Sequence, residues 1–98
     1  MIFDLSCRYD TRQSFYGKAK VEEENQDNLI IYTLLSYNTE VARITINVDT
    51  NEHKFEYFGK YSQTTTRHQK EFFKQNGLSD QEIKQLFKDG ELTITYIG

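Results

Sequence analysis

A single cysteine, Cys7, in a chain of 98 residues excludes an internal disulfide framework and cannot by itself make a thiolate zinc site. The five glycines, Gly17, Gly59, Gly77, Gly90 and Gly98, never cluster, so the chain lacks a phosphate-cradling glycine loop. No apolar run approaches the ~20 residues of a membrane-spanning helix. The most apolar stretch, Leu29–Leu35, contains Tyr32 and Thr33. The opening residues Met1–Arg8 lack a basic stretch followed by an apolar one, so no signal peptide is expected. A net charge of −3 excludes a chain held on nucleic acid or anionic lipid by bulk charge, while leaving room for a local basic patch. These absences predict one cytoplasmic domain spanning residues 1–98, with no membrane partner.

What the chain does have is enough apolar and aromatic content, 37% and 14%, to pack a lean core and to argue against disorder. Up to Phe58 the pattern is mostly alternating and rich in β-branched and aromatic residues, as strands require. Expected strands are Ile2–Tyr9, Phe15–Val21, Leu29–Ser36, Val41–Val48 and Glu52–Phe58. The acidic run Glu22-Glu23-Glu24 and Asn25–Asn28 are expected to close the second of these at a solvated hairpin end. Asp49-Thr50-Asn51 reads as another turn. After Gly59 the period becomes helical. Thr64–Asn76 places His68 one turn before Phe72, with Thr64, Thr65 and Thr66 offering N-cap oxygens and Gly77 a C-cap. Ser79-Asp80-Gln81-Glu82 is a capping box opening a short helix with Ile83, Leu86 and Phe87 on one face, stopped at Gly90. Leu92–Ile97 returns as a strand. The predicted class is α+β: an antiparallel β-sheet of four to six strands with two short helices packed on one face.

Few residues carry catalytic or metal chemistry. His53 and His68 sit in no metal or catalytic motif, and His68 reads as a half-buried helix residue bonded to a neighbour. Arg8 stands beside Cys7 and would lower its pKa slightly, yet a lone cysteine in a strand is more often a small core residue. Consecutive Glu22, Glu23 and Glu24 alternate faces of a strand and diverge, so with Asp27 they form an acidic surface rather than a cation site. No catalytic, cofactor or metal-binding residue is expected, and the chain is not expected to be an enzyme.

Charge is unevenly placed. Up to Gly59 there are six basic residues against ten acidic ones; from Lys60 onward there are six against five. Within Lys60–Asn76, Lys60, Arg67, Lys70 and Lys74 meet one acid, Glu71. Thr64, Thr65, Thr66, Arg67, Lys70 and Lys74 are therefore candidates for binding an anion or a partner at the helix start. The plain alternative is a solvated helix face with a threonine cap. Seven tyrosines add a second theme, because tyrosine supplies interface area while its hydroxyl stays wet.

Two stretches carry a resemblance. Ser36-Tyr37-Asn38-Thr39-Glu40-Val41-Ala42 is similar to a SYNTxVA signature. Tyr61–His68, continuing through Glu71-Phe72, is similar to YSxTTxRHxxEF and leads to Gln75-Asn76-Gly77. With Tyr16-Gly17-Lys18-Ala19, the likeness spans about Phe15–Leu78. It resembles a family of small, largely uncharacterised proteins carried by phages and mobile elements of Gram-positive bacteria. That resemblance implies a phage-type accessory protein acting by stoichiometric binding to a host protein, most concretely an anti-CRISPR inhibitor of a Cas nuclease. An acidic sheet would compete with nucleic acid for such a partner's basic groove. The alternatives are a small nucleic-acid-binding regulator using the Lys60–Lys74 helix, and a virion or assembly component. The resemblance assigns no functional residue; it allows Ser62–Thr66 to cap the helix while Arg67 and His68 bond back to the sheet.

Overall fold

A computed structural model describes residues 1–12 and 14–97. Six strands form one antiparallel sheet in sequential order: β1 Ile2–Asp4, β2 Ala19–Gln26, β3 Leu29–Ser36, β4 Thr39–Asn47, β5 Glu52–Tyr57 and β6 Glu91–Thr95. Between β5 and β6 the chain forms α1 Gln63–Gln75 and α2 Asp80–Asp89. Helix α1 lies against β3 and β4, and α2 against β5 and β6. The α+β class with two helices on one sheet face is the architecture the periodicity predicts. Among the described residues, no helix is long and apolar enough to cross a membrane.

Alternation decides which side chains enter the core. Val21, Leu34 and Ala42 pair across β2, β3 and β4, and Ile44 pairs with Phe55; all are buried beneath the helices. From α1, Thr65, His68, Gln69, Phe72 and Phe73 point inward at helical spacing, and from α2, Ile83 and Leu86 do so. Phe73 contacts Phe55 and Phe87 edge-on, at centroid distances of 6.4 Å in both cases.

Several boundaries differ from the sequence expectation. Phe15–Lys18 is a tight turn, not strand: Lys18 N–H donates to Phe15 O (2.9 Å), with Tyr16 and Gly17 both left-handed (φ 52° and 73°). The strand therefore begins at Ala19 and absorbs the acidic run, and the hairpin turn comes at Asp27-Asn28. β1 stops at Asp4, which leaves Cys7 in a loop. A bulge at Val41 of β4, opposite the Leu34–Leu35 step of β3, sends both Val41 and Ala42 inward, which is why the apolar spacing from Val41 to Ile44 is three rather than two.

Helix α1 is capped by Ser62, whose Oγ accepts from Thr65 N–H, rather than by the threonines. Its end is a Schellman motif: Leu78 N–H donates to Phe73 O and Gly77 N–H to Lys74 O, with Gly77 at φ 96°. Ser79 and Glu82 form the expected capping box and Gly90 ends α2.

Candidate functional site

The two signature stretches meet under α1. Ser36 at the end of β3 is buried, its Oγ 2.9 Å from Thr65 Oγ1 and 2.8 Å from His68 Nδ1. Ser62 Oγ donates in turn to Thr65 Oγ1 (3.3 Å). One direction satisfies every hydroxyl in this chain: Thr65 donates to Ser36, and Ser36 donates to Nδ1. The remaining imidazole proton then sits on Nε2. That atom is buried and has no partner, an arrangement that costs about 1–3 kcal/mol. Burial holds the imidazole below its ordinary pKa, with Asp10 pushing it up and Arg12 down. Phe15 packs edge-on to the ring at 4.6 Å and Tyr37 lies at 5.9 Å.

Two further buried polar groups lock α1 in place. Gln69 Nε2 donates to Val41 O (3.0 Å) and Gly59 O (3.1 Å), leaving its own Oε1 unpartnered. The Val41 carbonyl, at the bulge, also accepts from Phe58 N–H (3.2 Å). Glu71, also buried, accepts from the backbone N–H groups of Tyr9 (2.8 Å) and Asp10 (2.9 Å) and from Gln75 Nε2 (2.6 Å). A helical carboxylate thus fastens the loop after β1 across the helix surface.

Beside His68 lies a cleft of about 210 Å³, lined by Arg12, Ser14, Phe15, Tyr16, Lys18, Tyr37, Thr64, Arg67 and His68. Its described lining carries three cationic side chains and no carboxylate. Tyr16 and Tyr37, 74% and 52% exposed, line it from adjacent turns in which both are left-handed, at φ 52° and 50°. Tyr37 N–H donates to Lys18 O (2.9 Å) and ties the two turns together.

A second depression, about 250 Å³, lies on the next face of α1 and is lined by Tyr9, Asp10, Thr11, Arg67, Lys70, Glu71 and Lys74. Here the basic side chains are largely answered. Arg67 pairs with Asp10 at 3.6 Å, and Lys74 pairs with Asp80 at 2.8 Å and sits 5.9 Å from the Tyr9 ring centroid. Of the six helix candidates, Thr64 and Arg67 line the His68 cleft, and Arg67, Lys70 and Lys74 line the second depression. Thr65 is consumed by the Ser36 bond, and Thr66 Oγ1 donates to Ser62 O (3.0 Å). Arg12, Ser14, Phe15, Tyr16, Lys18 and Tyr37 are the cleft residues that sequence reasoning did not assign; the Tyr-Gly and Tyr-Asn pairs, left-handed in the fold, were the available signal.

The acidic residues divide as strand alternation requires. Glu22 and Glu24 emerge on the sheet face opposite the helices, where they join Glu40 and Glu56 around a depression of about 320 Å³. Arg43 is the single cation in that lining and is already paired with Glu40 at 2.8 Å. Glu23 lies on the helix side opposite Tyr32, and Asp27 sits in the turn. Cys7 is pushed up in pKa by burial first, then by Asp10 and Glu71, against the lowering expected from its basic neighbour.

The chain belongs to DUF8033, described as a family of unknown function, whose profile matches residues 3–90 and so takes in both helices and the cleft. No curated protein matches the chain, and no solved structure does.

Proposed function

We propose that this member of DUF8033 is an accessory protein that acts by stoichiometric binding to a basic groove on a host protein in the bacterial cytoplasm. The concrete case is an anti-CRISPR inhibitor occupying the nucleic-acid channel of a Cas nuclease. The observation that carries the reading is the uncovered sheet face, where Glu22, Glu24, Glu40 and Glu56 surround one arginine. Antiparallel sheets often leave one face to solvent; an excess of carboxylates there is what favours a cationic partner. Ile31 and Thr45, half-buried between the charges, offer contact area beside them. The phage-type resemblance of the two signature stretches supplies the host setting.

The alternative of a nucleic-acid-binding regulator is less well supported, because Arg67 and Lys74 on the basic helix are already ion-paired. The test is titration of the protein into Cas nuclease cleavage reactions from several Gram-positive hosts, alongside size-exclusion binding at graded salt. Inhibition that saturates near one equivalent, and that a Glu22→Lys, Glu24→Lys, Glu56→Lys variant loses, supports the proposal. Unchanged cleavage at large molar excess across the orthologues removes the Cas assignment. Binding that survives the triple reversal removes the acidic face.

A further inference from the structure

The cleft beside His68 lies on another part of the surface from the acidic sheet face and calls for a different ligand. We propose that it binds a phosphate monoester, with Arg12, Lys18 and Arg67 supplying the charge and His68 Nε2–H donating to a phosphoryl oxygen once the side chains that cover the ring draw aside.

The imidazole of His68 is bonded at one nitrogen only. Its Nδ1 is fixed by Ser36 at 2.8 Å, and the hydroxyl chain from Ser62 through Thr65 sets its proton on the other nitrogen. His68 is 0% exposed, its Nε2 has no acceptor, and the residue is among those lining the cleft, where its neighbours cover it. A buried donor held this way wants an acceptor that the protein does not provide. Every charged side chain lining that cleft among the described residues is basic, so the matching acceptor is an anion.

A dianion fits better than a carboxylate. Three cations converge, and Asp10, the nearest counter-charge to act on the ring, is held by Arg67 at 3.6 Å and by Arg12 N–H at 2.9 Å. Asp10 lines the neighbouring depression and not this cleft. Arg67 is therefore shared, while Arg12 and Lys18 have exposed side chains with no ion-pair partner among the described residues. Thr64 adds a hydroxyl at the start of α1. The volume, about 210 Å³, is about seven times the ~30 Å³ share of a water molecule. It holds a phosphoryl group together with part of what carries it. The exposed rings of Tyr16 and Tyr37 offer a stacking surface for a planar group, as a nucleoside has.

Calorimetric titration with inorganic phosphate, AMP and adenosine tests this, together with two-dimensional NMR of the imidazole nitrogens. Phosphate and AMP are expected to bind saturably and to move the His68 Nε2 signal, with sodium chloride at equal ionic strength as the control. Arg12→Ala with Lys18→Ala, both at exposed positions away from the core, is expected to weaken binding by roughly tenfold or more. AMP binding more tightly than phosphate identifies a nucleoside carrier. Equal affinities restrict recognition to the phosphoryl group, and both results support the site. No saturable binding up to about 10 mM, a shift reproduced by chloride, or adenosine binding as well as AMP would overturn it. So would binding unaffected by the double substitution.

Discussion

Replacing Ser36 by alanine removes one oxygen and should cost far more than a surface serine would. Ser36 is 2% exposed, and its Oγ bridges Thr65 Oγ1 at 2.9 Å and His68 Nδ1 at 2.8 Å. Each bond contributes about 1 kcal/mol net, and a buried polar atom left alone costs about 1–3 kcal/mol. Thr65 keeps its contact with Ser62, but either tautomer of His68 then has both ring nitrogens unpartnered. The expected loss is about 2–3 kcal/mol, set against a total stability of roughly 5–15 kcal/mol for a chain this size. At roughly 4–8 °C per kcal/mol the melting temperature should fall by about 10–20 °C.

Urea unfolding followed by circular dichroism and by tyrosine fluorescence, undisturbed by tryptophan in this sequence, measures it directly. Thr65→Val removes the neighbouring hydroxyl with little change of volume. Because the hydroxyls act as one chain, the double variant should lose clearly less than the sum of the single ones. A Ser36→Ala cost below about 0.5 kcal/mol, or additive losses, would refute the account of how the two signature stretches are joined.

Glu71→Ala should release the Tyr9–Asp10 loop from α1, costing about 2–4 kcal/mol, and should speed tryptic cleavage after Arg8 and Arg12; an unchanged digestion pattern contradicts the tether. Burial lowers the pKa of both His68 and His53 in the folded chain. The unfolded chain therefore takes up protons first, and stability should fall as pH drops below about 6.5, by up to ~1.4 kcal/mol per pH unit for each group. His53→Gln should remove one share of that slope, and a flat urea midpoint between pH 7.5 and 5 would refute it. Tyr16→Asn and Tyr37→Asn relieve left-handed strain at bulky residues and should each stabilise by about 1 kcal/mol. The pair should also weaken AMP binding relative to phosphate; if affinity is untouched, the rings play no part in the cleft.

Much of the scaffold is readable from local chemistry. Leu29–Ser36, the Ser79–Glu82 capping box and the Gly90 stop require only neighbours in sequence, and each stands where the pattern puts it. The start of β2 does not, because Tyr16 adopts a left-handed backbone conformation that a bulky residue rarely takes, so its residue type gives no sign of the turn. The acidic run reads as a hairpin end only while charge is assumed to avoid strands; on an open sheet face, Glu22 and Glu24 reach water without leaving β2. The site was legible in part. Thr64 and Arg67 were in view, but their cleft is completed by Arg12, Lys18 and Tyr37 from distant segments. His68 suggested a bonded, half-buried residue, and it is fully buried with one nitrogen bonded and one alone.

Sequential strand order gives the Glu71 tether a developmental meaning. Strands β2 to β5 can zip together in the order they leave the ribosome, each against its predecessor. The Tyr9–Asp10 segment, made earlier, must wait some sixty residues for the carboxylate that captures it. The wall containing Arg12 is therefore expected to close only after α1 has been made.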